Sequence, residues 1–227
     1  MTSVRTAQFK DELRSFATSD KLGATSIRYP KRTHIYNCGD HDANLYLVES
    51  GQVKTQAYAR CGKECLLSIY TAGDIFGESS LLGSERTETA TVMRTSWVRR
   101  IPAAGFRAAM ADQRVLDGFI DHLARRLTEQ QQVITTMVTM DSEQRLAAVL
   151  LRLSRKLGKK RADHLLAIED RITQEELSGM VGTTRSRVGY FLKRFKDAGL
   201  VLPVSGPFLL INEKRLTEYV NSIGGWF

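Results

Sequence analysis

From Gly23 to Ile101 apolar and polar residues alternate in short runs, most clearly in LYLVESGQVKTQAYA, CLLSIYTAGD and TATVMRTSWVRRI. A period of two predicts strands with one face turned to a core. Gly39-Asp40, Glu49-Ser50-Gly51, Gly62-Lys63 and Gly73-Asp74 interrupt the runs at turn-like intervals. Short strands joined this way predict an antiparallel barrel or roll, whose closure removes exposed edges and leaves an interior able to hold one small ligand.

After Pro102 the period becomes helical, first in AAGFRAAMAD and then without interruption from Val115 to Val138. In the long segment Leu116, Ile120, Leu123, Leu127, Ile134 and Met137 recur at spacings of four and three, with Gln130 filling the one gap. So narrow a stripe, on a helix of roughly 36 Å, predicts a coiled-coil seam buried against a second copy of the chain. Packing on its own domain is the competing arrangement. A polar Gln130 inside the seam fixes register or meets a ligand. Thr139 to Ser142 predicts a joint, with Asp141 capping a new helix from Glu143. Lys156 to Arg161, with Gly158, reads as a basic loop after that helix.

The densest signal is RITQEELSGMVGTTRSRVGYFLKRFKDAGLV. Thr173 and Glu176 have capping-box spacing, Leu177 and Val181 turn inward, and Gly182 supplies the left-handed residue that a tight turn between crossed helices needs. Ser178 is small enough for close helix approach. Thr184 caps a second helix, with Val188, Phe191, Leu192 and Phe195 inward. This is helix-turn-helix grammar. The outward face carries Arg185, Ser186, Gly189, Tyr190 and Lys193, with Arg187 on its flank. Arg185 suits the O6 and N7 acceptors of guanine in a major groove. Ser186 and Tyr190 suit base or methyl contacts, Gly189 allows close approach, and Thr184, Arg187 and Lys193 suit phosphates. The hairpin turned at Ser205-Gly206-Pro207 is expected to form a wing.

Charge strengthens that reading. The chain of 227 residues has a formal net charge of +8. Residues 1 to 140 hold 18 basic and 15 acidic side chains, residues 141 to 227 hold 15 and 10, and Thr183 to Lys196 holds five basic residues and no acid. A polyanionic partner is implied. No nucleophile-base arrangement, phosphate loop or metal spacing appears, so neither an enzyme nor a metal site is expected. Cys38, Cys61 and Cys65 are too few for a disulfide framework. Free thiols are expected, the alternative being a Cys61–Cys65 redox pair across a hairpin. The opening residues lack a secretion signal and no apolar run reaches membrane-spanning length, so a cytoplasmic location with no membrane partner is expected.

With YLVESGQV, AGDIFGESSLL, LARRL and the stretch from Ile172 to Gly199 standing in that order, the chain resembles the CRP/FNR superfamily, the cyclic AMP receptor protein and its relatives, along nearly its whole length. The resemblance implies an α+β fold: an N-terminal antiparallel β-roll of the cyclic-nucleotide-binding kind over residues 1–110, a long dimerisation helix and hinge over 111–140, and a C-terminal winged helix-turn-helix over 141–227. It implies a homodimeric, sequence-specific transcription regulator that binds a near-palindromic duplex, with RNA polymerase as a further partner.

It also implies an effector site, with cyclic AMP or another cyclic nucleotide as the candidate ligand. Gly77-Glu78 and Arg86-Thr87 resemble the pairs that hold ribose and phosphate in that family, with Ser79 beside them. Gln130 and Gln131 fall where relatives touch the adenine. Departures are specific: Glu88 replaces a small residue and would repel a phosphate or compete for Arg86, Ser79-Ser80 replaces an apolar helix start, and Ser186 and Tyr190 alter the DNA-reading positions. Three other readings stand beside these. Glu78 and Arg86 could pair internally in an empty roll, the chain could be an effector-independent regulator, or it could be a ligand-binding regulatory subunit.

Overall fold

The computed structural model describes residues 23–60, 62, 64–83, 85–203 and 208–222. The wing turn at 205–207 and the Cys61 thiol lie outside these residues. Cys65 and Cys38 are exposed free thiols.

The alternating N-terminal text folds as β1 (Thr25–Tyr29), β2 (His34–Tyr36), β3 (Asn44–Tyr58), β4 (Glu64–Thr71), β5 (Ile75–Phe76) and β6 (Thr89–Pro102). They form one six-stranded sheet in the order β1-β6-β3-β4, with β2 on β6 and β5 on β3. β1 and β2 pair with β6, and β5 and β6 pair with β3, all antiparallel. Register shifts between Val48 and Val53 bend β3 along β6, which is how one long strand curls with the roll.

The pleat sorts side chains to two cores. Leu45, Leu47, Ile75 and Ile101 pack with Phe106, Val115 and Phe119. Tyr46, Val48, Val53, Val92 and Val98 pack with Tyr36, Tyr70 and Phe76. Adjacent residues of β3 thus feed opposite cores, and Leu45 to Val48 are all buried. A short 3₁₀ turn (Glu78–Leu82) lies between β5 and β6.

Helices then take over: α1 (Ala103–Ala109), the long α2 (Gln113–Thr139) and α3 (Ser142–Leu157). Asp141 caps α3, accepting from the backbone N–H of Glu143 and Gln144, while the Gln144 side chain returns a bond to the Asp141 N–H. The joint between Thr139 and Ser142 is where the sequence puts it. Apart from a short piece before Leu66 that clusters with the second, the chain divides into two compact units within α2, between Gln131 and Gln132.

In the second unit the stretch expected as a basic loop is instead a hairpin. α3 continues to Leu157, and β7 (Lys159–Ala162) pairs with β8 (Leu165–Ile168). Glu169 holds both Lys159 (2.6 Å) and Arg161 (2.9 Å), so the basic run is neutralised across the ribbon instead of repelling itself out of a strand. There follow α4 (Gln174–Val181), α5 (Arg185–Asp197), β9 (Val201–Leu202), β10 (Leu209–Asn212) and α6 (Glu213–Ser222). The second sheet runs β7-β8-β10-β9. Among the described residues no helix is long and apolar enough to cross a membrane.

Candidate nucleic-acid interface and effector site

Local chemistry builds α4 and α5. Thr173 accepts from the Glu176 N–H and the Glu176 carboxylate accepts from the Thr173 N–H, a reciprocal box that satisfies two orphan donors. Gly182 ends α4 at φ +68°, a conformation costly for other residues, and this lets the chain turn within two residues into the next cap. Thr184 caps α5 by accepting from the Arg187 N–H. Val188, Phe191, Leu192 and Phe195 are buried beneath α5, while Leu177, Ser178 and Val181 are buried from α4.

Two buried faces fix the orientation of the third. Arg185, Ser186, Arg187, Tyr190 and Lys193 are exposed, Tyr190 at 60%. Arg187 spreads its guanidinium 5.6 Å from the Phe191 ring centre. The Ser186 hydroxyl lies 3.1 Å from that of Thr184. Gly189 is half-buried, and a Cβ there would stand 3.4 Å from the Gln174 side chain, so the α5 backbone at Gly189 faces α4. Arg194 leaves the basic set, because it pairs with Glu143 of α3 at 2.7 Å. The Arg185 side chain makes no hydrogen bond or ion pair among the described residues.

The sequence reading missed Arg145. From the first turn of α3 its guanidinium donates to the carbonyls of Met140 (2.9 Å) and Met137 (3.4 Å), at the end of α2, and of Val181 (2.8 Å), at the end of α4. Helix ends leave carbonyls without intrahelical partners, so one cation here ties two helix ends together.

On α2 the seam positions Ile120, Leu123, Leu127, Ile134 and Met137 are all exposed on the single chain, Leu127 at 58% and Ile134 at 63%. Val115 and Phe119, on the neighbouring stripe, fill the roll core instead.

Inside the roll, Gly77, Glu78, Ser79 and Arg86 come together. Arg86 is 1% exposed. Its Nη1 donates to the Gly77 carbonyl (2.8 Å) and reaches the Ser79 hydroxyl (3.4 Å). Its Nη2 donates to Asp42 Oδ2 (2.8 Å) and to the Asn44 carbonyl. Gly77 is required for this approach: it sits at φ +82°, and a Cβ would stand 3.1 Å from Arg86 Nη1. The Tyr36 ring centre lies 4.2 Å from the guanidinium carbon, and Tyr46 and Phe76 stack beyond it at 5.3 Å.

Glu78 does not pair with Arg86. Its carboxylate accepts from His122 Nε2 (2.7 Å) and lies 3.8 Å from Arg126, both on α2. Burial pushes the Glu78 carboxyl up, but the His122 hydrogen bond and the Arg126 charge outweigh it and hold the group below its ordinary 4.5. Glu88, expected to repel a phosphate or compete for Arg86, accepts instead from the Tyr36 hydroxyl at 3.0 Å. Burial, then the Glu88 charge, drives the Tyr36 phenol far above its ordinary value. Thr87 is exposed beside the buried Arg86, and Gln130 and Gln131 are exposed on α2.

A guanidinium has five N–H donors and binds a phosphate through two that converge. In Arg86 only Nε–H lacks a partner, and it is buried. As folded, these residues do not fit a cyclic nucleotide phosphate. Among the described residues no cluster able to hold a metal ion occurs.

Residues 26–113 match the family model described as a cyclic nucleotide-binding domain, and residues 144–219 match the Crp-like helix-turn-helix domain. The chain is similar to the cAMP-activated global transcriptional regulator CRP of Haemophilus influenzae, 28% identical over 77% of this chain and 78% of that protein. It is equally similar, at 28%, to the CRP-like cAMP-activated global transcriptional regulator of Mycobacterium tuberculosis, over 85% and 86% of the two chains. The solved structure of a CRP/FNR-family transcriptional regulator from Thermus thermophilus superposes with a TM-score of 0.71 at 25% identity, covering 88% of this chain and all of that one.

Proposed function

Because this chain belongs to the CRP/FNR family of transcription regulators, we propose that it works as a cytoplasmic homodimer reading a near-palindromic duplex, under control exerted through its β-roll. It is a DNA-binding regulator and not an enzyme.

One observation carries the DNA-reading part: an exposed, acid-free helix face, held by two caps and a buried opposite side, on which the Arg185 side chain has no partner among the described residues. Arg185 is assigned to a guanine edge, with Ser186 and Tyr190 as base or methyl contacts. Thr184, Arg187 and Lys193 are assigned to phosphates, whereas Gly189, expected on the reading face, turns to Gln174 and serves the close packing of α5 on α4. A half-site of a few base pairs discriminates poorly. Two such helices, joined through Leu123, Leu127 and Ile134 of paired α2 seams, would meet successive major grooves about 34 Å apart. Contact with RNA polymerase belongs to this reading as the step after binding.

Control is assigned to a small effector in the roll acting through α2 and the joint at Thr139–Ser142. His122 and Arg126, gripping Glu78, support this route. Two relatives carry cAMP in their names, but the filled partners of Arg86 favour a small effector that needs no phosphate on that guanidinium. A second reading, an effector-independent regulator, draws support from the near-saturated Arg86.

Selection from randomised duplexes tests the DNA part. The expected product is an inverted repeat with half-sites about one helical turn apart, bound by two chains. Recovery of no shared motif, from protein that sediments as a monomer, would overturn it.

A further inference from the structure

We propose that Asp42 is a built-in counter-ion occupying the anion position of Arg86, and that it shuts cyclic nucleotide phosphates out of the roll. The inference rests on the reading of the roll as the regulatory domain, and it names the residue that sets which effectors that domain accepts.

Asp42 is not a surface carboxylate that happens to lie near an arginine. Its Oδ2 accepts from Arg86 Nη2 (2.8 Å) and from the Tyr46 hydroxyl (2.7 Å), and its Oδ1 accepts from the Asn44 amide. The loop that carries it is fastened to the Arg86 segment by the backbone: Arg86 N–H donates to the Asp40 carbonyl (3.0 Å), and Gly39 N–H donates to the Arg86 carbonyl (2.8 Å). Asn37 N–H closes the same loop on the Asp40 carboxylate at 2.7 Å. A carboxylate held by three donors on an anchored loop is preorganised, so it gives up little freedom by staying.

The charge arithmetic points the same way. Arg86 has a fully buried side chain and Asp42 is 15% exposed, so the pair is near-neutral and water screens it weakly. An incoming phosphate would meet a cation already neutralised, a fixed negative charge beside it, and a single open N–H donor. Bringing the phosphate in would require breaking the Asp42 contact and leaving that mostly buried carboxylate with two remaining donors, Tyr46 and Asn44. The Tyr36 face closes one side of the guanidinium, so a phosphate has no second approach there. Gly77 spends its carbonyl on Arg86, which further fixes the guanidinium away from a new acceptor.

The test is calorimetric titration of the full chain with 3′,5′-cyclic AMP, using wild type, Asp42→Asn and Asp42→Ala. Asp42→Asn keeps the shape and an acceptor while removing the charge, so it guards against a failure of Asp42→Ala to fold. Wild type is expected to show no binding at millimolar nucleotide. At least one variant should gain affinity by about tenfold or more, a change within easy reach of titration, and the gain should vanish when Arg86→Met is added. Wild-type binding that Asp42 substitution leaves unchanged would overturn the proposal, as would variants that fold yet stay as blind to the nucleotide as wild type. Duplex binding by the same preparations is scored separately, so failure of the gate is distinguishable from failure of the regulator reading.

Discussion

Two arginines in this chain meet opposite fates. Arg86, inside the roll, spends four donor directions on Gly77, Ser79, Asp42 and Asn44. Arg185, at the start of α5, is exposed and spends none among the described residues. The sequence marks both as anion-binding candidates, one by family resemblance and one by the acid-free run around it. The difference teaches that residue type and position in a motif nominate a cation, while the partners that surround it decide whether an outside anion is needed. The roll supplies its own counter-charge; the reading helix leaves one to be supplied.

The contrast can be broken most severely at Arg86. Arg86→Met would strand the Asp42 carboxylate beside buried tyrosines, and truncating one member of a buried pair costs about 3–5 kcal/mol. Chemical denaturation should show that loss, and a change below about 1 kcal/mol would mean that the pair is not internal. Next comes the apolar counterpart of Arg185, the seam of α2. Leu127→Lys removes an exposed leucine whose burial against a second copy is worth about 1.5–3 kcal/mol. Sedimentation should shift toward monomer with the fold intact, whereas an unchanged mass would assign the seam to no interface. Thr173→Ala, which removes the cap that starts α4, should cost about 1 kcal/mol of stability and weaken duplex binding through orientation alone.

A pH series sharpens the comparison from the other side. Burial pulls the Asp42 carboxyl up, but hydrogen bonds from Arg86, Asn44 and Tyr46 hold it below its ordinary 3.8, and Glu78 is likewise depressed. A carboxyl with a depressed folded pKa stabilises fully above its unfolded value and loses that contribution as pH falls through the folded one. Roll stability should therefore be level above about pH 5 and decline below it, with Asp42→Asn flattening the decline. The smallest effect is expected at Lys193: Lys193→Ala should reduce the salt-dependence slope of duplex binding by about 0.9, without altering which sequence is preferred.

What was legible in the sequence was what local chemistry encodes. The Thr173–Glu176 box, Gly182 and the Thr184 cap lie within four residues of their partners, and the α2 seam follows from one helical period. The roll's antiparallel strands followed from alternation. What was not legible depends on register. Asp42 meets Arg86 44 positions away, Glu88 meets Tyr36 52 away, and Arg145 collects carbonyls from two helices. His122 and Arg126 offer a weak signal, two nitrogen donors one turn apart on one face of α2, whereas the family resemblance points to Gln130 and Gln131. The Lys159–Ala162 strand was hidden because its charges suggest a loop until Glu169 is placed opposite them.

The most direct measurement is a paired titration of wild type and Arg185→Ala against the selected duplex and against a random duplex of equal length and salt. Loss of one good base contact is worth about 1–3 kcal/mol, so affinity for the selected duplex should fall roughly 5- to 150-fold, while affinity for the random duplex stays within about twofold. An equal fall on both would make Arg185 a phosphate contact, and no fall on either would contradict the assignment of this face to DNA reading.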